Sequence, residues 1–102
     1  MNTEHRAIVV VGREGPAEDT LRAAGRYDEV FVIAPALPDP RERFVVDEDR
    51  AYEAAHGRVR DVVGRLRARG VRAFGAVGDE NVAAARRDAR ALFPAAQAIL
   101  GA

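Results

Sequence analysis

Ala7-Ile8-Val9-Val10-Val11-Gly12-Arg13-Glu14-Gly15-Pro16 decides the fold: an unbroken apolar run stops at a glycine-bracketed turn and is followed at once by a helix signal. A run without polar alternation needs cover on both faces, which is the situation of a central strand in a parallel sheet between helical layers. The rest of the chain repeats this unit. Pro16 suits a first helical position, Glu18 and Asp19 complement the helix dipole, and Ala17, Leu21 and Ala24 share one face. Gly25 is expected to close this helix in the left-handed conformation. Residues 29–34 form a second continuous apolar run, hence a second buried strand, and residues 35–46, with prolines at 35, 38 and 40, form a crossover loop.

The longest helix is expected from Asp47, Glu48 and Asp49 to the stop at Gly70, with Tyr52, Ala55, Val59, Val62, Val63 and Leu66 in the stripe that packs on the sheet. Its other side carries small residues, Gly57 and Gly64 among them, flanked by Arg58, Arg65 and Arg69. Each glycine costs about 1 kcal/mol against Ala, so either the cost is tolerated or another backbone approaches there. Residues 71–77 alternate in polarity, which suits an edge strand. Asp79 is expected to cap a third helix with the face Val82, Ala85, Ala89 and Leu92, ended by Pro94. Residues 96–101 complete the pattern as a fourth strand. The expectation is a single α/β domain over residues 1–102, βαβαβαβ, a three-layer Rossmann-like open parallel sheet with strand order 3-2-1-4.

Composition removes whole chemistries. The 102 residues contain no Ser, Cys, Lys or Trp, so serine and cysteine nucleophiles, thiolate metal sites, Schiff-base lysines and a P-loop lysine are excluded. The formal net charge of zero gives no global nucleic-acid footprint, and no apolar stretch nears the ~20 residues of a membrane helix. The start, Met1 to Arg6, lacks a basic-then-apolar leader, which makes the cytoplasm the expected location.

The initial strand, the second strand ending in Val32-Ile33-Ala34-Pro35, the acid-headed helix ending in Leu66-Arg67-Ala68-Arg69-Gly70-Val71, and the junction Val77-Gly78-Asp79 together resemble the universal stress protein family, in its short bacterial variants. The resemblance implies an adenine-nucleotide-hydrolase-like α/β fold. In nucleotide-binding members the first strand commonly ends near an Asp, and the fourth runs into a glycine-rich loop that holds the phosphates. Here Gly12-Arg13 stands where that Asp is expected, and Gly101 matches only the first glycine of the loop. Nucleotide binding of that kind is not expected, and no cofactor is called for.

A ligand would be left the crevice at the strand ends, bounded by Gly12, Arg13, Gly15, Ala34, Gly78 and Asp79. The Gly12–Gly15 turn has two readings. Backbone N–H groups with Arg13 would attract an anion, whereas Glu14, Glu18 and Asp19 place negative charge there and leave a plain tight turn. Asp47, Glu48 and Asp49 are explained by capping rather than by a metal, His5 and His56 have no second ligand nearby in sequence, and Arg41, Arg43 and Arg50 are interspersed with acids. No catalytic set emerges. Two expectations of function follow: a non-catalytic module acting through self-association or a protein partner, or a binder of a nucleotide or other anion in the crevice. A fourth strand at the sheet edge, free of charge and proline, further implies a homodimer joined at Ala98, Ile99 and Leu100.

Overall fold

The structure, a computed structural model, describes residues 5–37 and 48–101, with backbone alone for Glu48 and Asp49. The elements follow in the order β1 (Arg6–Val10), α1 (Glu18–Ala24), β2 (Glu29–Pro35), α2 (Glu48–Ala68), β3 (Arg72–Gly78), α3 (Val82–Leu92) and β4 (Ala98–Gly101). The four strands form one parallel sheet ordered β3-β2-β1-β4, as the apolar runs and the alternating third strand imply. The expected loop at positions 38–46 and the expected cap at Asp47 lie outside the described residues.

Alternation divides the core between two faces. Val9, Val11, Val30, Val32 and Ala34 meet Leu21 and Ala24 of α1 and Ala55, Val59, Val62 and Leu66 of α2, all buried. Ile8, Val10, Phe31 and Ile33 meet Ala85 and Ala89 of α3 and Phe93. Central strands β1 and β2 are therefore apolar on both faces. Register is marked by a charge row at the start of the sheet, where Arg6, Glu29 and Arg72 are paired across three strands and Glu29 bridges both arginines at 3.6 and 3.7 Å. Opposite charges side by side on neighbouring strands favour this register over a one-residue slip.

Several local expectations are corrected. Pro16 precedes α1 rather than opening it, because Ala17 is extended and serves as the N-cap without a side-chain bond. Gly25 is right-handed, since the chain continues to turn through Arg26 and Tyr27, whose N–H groups donate to Ala23 O and Ala24 O. Gly70, with φ of +84°, does supply the left-handed stop. Tyr52 is 55% exposed and stacks on His56 instead of packing on the sheet. The 21 residues of α2 span ~31 Å against ~23 Å for the 7 residues of β3, and α2 ends flush with β3 at Gly70, so its N-terminal turns overhang.

In α3 the cap is Asn81, whose Oδ1 accepts from Ala84 N at 3.1 Å; Asp79 Oδ1 accepts from Asn81 N and shapes the turn before it. Leu92 is exposed. The chain leaves helical geometry at Phe93, φ −134°, and drops that ring onto Phe31 and Phe74 in place of Leu92. β4 begins two residues later than expected, after a turn in which Ala96 N donates to Phe93 O. Around Gly57 and Gly64 a Cβ would meet nothing within 4 Å, so the outer side of α2 tolerates its glycines without a close neighbour among the described residues.

Candidate functional site

The residues expected to bound one crevice are spread along the C-terminal end of the sheet. Gly12, Arg13 and Gly15 follow β1, where Gly15 N donates to Gly12 O at 3.0 Å and Gly15 takes φ of +81°. Val11 N still donates to Ile33 O, so this turn leaves directly from the ladder. Ala34 is fully buried in the cluster under α1 and α2 and offers a ligand no surface. Gly78 closes β3 and Asp79 follows it, three strand spacings or ~14 Å across the sheet from β4. They do not reach the β1–β4 switch point. Gly78 has a packing role, for a Cβ there would stand 2.9 Å from both Ala85 Cβ and Ile33 Cδ1 and would lift α3 off the sheet.

The turn before α1 is also a poor anion cradle. α1 has only seven residues, Glu18 bridges Arg69 of α2 at 3.3 Å, and Asp19 stands beside Arg22 at 3.7 Å. What the fold does bring to this end is a pair of cations. Arg58 of α2 donates from Nη2 to Pro35 O at 3.0 Å, while its Nε is buried with no partner among the described residues. Burial lowers the Arg58 pKa, and the nearby positive charge of Arg13 lowers it further. It remains a cation at neutral pH. Spacing along α2 places Arg58 beside a row of small residues; only the packing of α2 across β2 brings it to Arg13.

A second cationic feature lies at the opposite edge. Arg86, Arg87 and Arg90 of α3 line an open trough of about 470 Å³ together with Ala83 and Ile99. The spacing i, i+3, i+4, i+7 from Ala83 puts them on one side of the helix. They make no hydrogen bond or ion pair with the described residues. α3 packs mainly over β2, β3 and β1, and Ile99 of β4 meets the margin of its apolar cluster, half-buried as the floor of the trough. On the other face α1 reaches β4.

The outer edge of β4 is open among the described residues, since β1 is its one neighbour there. Gln97 N donates inward to Arg6 O at 2.8 Å, so alternation turns the N–H groups of Ala98 and Leu100 outward. Ala98, Ile99 and Leu100 are half-buried and Gly101 is exposed. Elsewhere, no group of three His, Asp or Glu side chains converges among the described residues, and His56 is exposed beside Tyr52. No described helix is long and apolar enough to cross a membrane. No protein-family model matches the chain, and no curated protein matches it in sequence.

Proposed function

We propose that the chain is a non-catalytic, universal-stress-protein-like module that works by pairing a protein, a second copy or another chain, with the β4 edge. The observation that carries this reading is the open edge itself: outward N–H groups at Ala98 and Leu100, no charge or proline within β4, and an α3-side face on which Ile99 stays only half-buried. Such an edge templates strand addition. Light scattering over micromolar concentrations tests the self-association branch. A mass that rises above 11.0 kDa and returns to it in Ile99→Asp supports pairing at β4, and a dimer indifferent to Ile99→Asp places the contact elsewhere.

Arg13 and Arg58 favour a second reading, a small anion held at the ends of β1 and β2. Two guanidinium groups near one another, one with an unbonded buried Nε, would gain from a shared phosphate or carboxylate. The two readings separate on thermal melting. A ligand at 100 times its Kd adds about 2.7 kcal/mol, so millimolar ATP, AMP or inorganic phosphate would raise Tm by several degrees in an anion binder and leave the partner-binding module unmoved.

A further inference from the structure

We propose that the β4 edge takes an extended acidic segment of another protein, which adds to the sheet as a strand and lays alternate Asp or Glu side chains against Arg86, Arg87 and Arg90. This inference rests on the partner-binding reading and names the partner's chemistry. Three observations meet at one place. The outward N–H groups of Ala98 and Leu100 offer main-chain pairing. The floor at Ile99 is apolar, and the wall of the trough is three guanidinium groups with no acidic partner among the described residues. A strand's period of two sends every second side chain to the α3 face, where those arginines stand.

The same geometry weighs against a symmetric copy as the occupant. Antiparallel pairing of β4 with its two-fold mate needs an axis perpendicular to the sheet, which keeps both α3 helices on one face. Two arginine rows would then line one trough from both sides. Like charges so placed oppose association, whereas an acidic strand neutralises the row and gains steering from it.

The test uses the intact chain and a fluorescein-labelled, end-capped peptide of alternating valine and glutamate, read by anisotropy. A second peptide with threonine for glutamate and a short single-stranded oligonucleotide serve as controls. Saturable binding of the glutamate peptide is expected, and it weakens roughly tenfold when salt is raised about tenfold into the range where exposed charges are screened. The variant Arg86→Glu/Arg87→Glu/Arg90→Glu changes exposed side chains only, so it keeps the melting temperature and loses about tenfold or more in affinity for the glutamate peptide. Ala98→Pro removes an outward donor at the first residue of β4 and weakens both peptides.

The acidic-partner inference is overturned if the triple variant binds the glutamate peptide as the wild type does, if the oligonucleotide binds more tightly, or if the wild type dimerises through β4. Equal binding of the threonine peptide, lost in Ala98→Pro, overturns the acidic preference but leaves the edge reading standing. No binding by either peptide to a monomeric protein overturns both. Should Ala98→Pro fail to fold, the triple variant still decides.

Discussion

The two edges of the sheet are finished differently. β3 runs for seven residues and has a helix on each face: Ala73 is buried towards α2, and Phe74 meets Phe93 at the end of α3 with ring centroids 5.6 Å apart. Its first residue, Arg72, is a charge bonded towards Glu29. β4 runs for four residues, has α1 on one face and an arginine-walled trough on the other, and carries no charge of its own. A charged residue and two helical covers are how natural sheets blunt an edge. Both strands have one neighbour in the sheet among the described residues, and Phe74 is still 41% exposed. But β3 has both devices whereas β4 has one helical cover and no charge, so the shorter edge is the less protected.

If that contrast is right, truncations near β3 cost far more than truncations at β4. Leu66→Ala, fully buried on the sheet-facing side of α2, should lower stability by about 3 kcal/mol, seen as a midpoint shift in denaturant at unchanged slope. Gly75→Ala comes next. Its methyl would press on Val32 O and stand 2.7 Å from Val59 Cγ1, and since the first neighbour is backbone, a loss of about 2 kcal/mol is expected. Ile99→Ala, at the half-covered edge, should cost only about 1 kcal/mol. A loss from Ile99→Ala as large as that from Leu66→Ala would mean that β4 is as well covered as β3.

The outer side of α2 supplies the smallest effect and a check on which surface is in use. Gly64→Ala adds a methyl to open space on a helix and should raise stability by up to about 1 kcal/mol without altering any association. A Gly64→Ala variant that instead disrupts a dimer would move the interface from β4 to the back of α2.

Sequence patterns carried the fold as far as local chemistry reaches. Unbroken runs at β1 and β2 and alternation at β3 were enough for the strand order, because burial on two faces or one is written in polarity. The cap of α3 was less legible. Asp79 and Asn81 are both capping residues, and the choice depends on which of them stands three residues before an N–H that turns inward, here Ala84. Tyr52 and Leu92 have the right period but sit where a helix overhangs the sheet or the chain departs from it, and periodicity carries no information about where a neighbour ends.

The candidate site was legible only in part. Gly12, Arg13 and Gly15 do stand at the end of β1, yet Gly78 and Asp79 do not belong with them, because the strand order separates β3 from β4 by two strands. The nearness of Arg13 and Arg58 spans 45 residues and depends on how α2 crosses the sheet, for which no local signal exists. The arginine row of α3 is missed by the sequence analysis: the spacing of Arg86, Arg87 and Arg90 stands in the sequence, but locally it is indistinguishable from a solvated helix face. Its meaning appears only once α3 is seen to leave Ile99 half-covered beside it.

The claim that β4 is the partner-facing edge is tested most directly by following backbone amide resonances as the alternating valine–glutamate peptide is added. Shifts and slowed exchange at Ala98 and Leu100, with side-chain shifts at Arg86, Arg87 and Arg90 and none along β3, are the expected result. Protection that appears instead between Arg72 and Gly78 would contradict it, since the edge with the charged residue and a helix on each face would then be the one that binds.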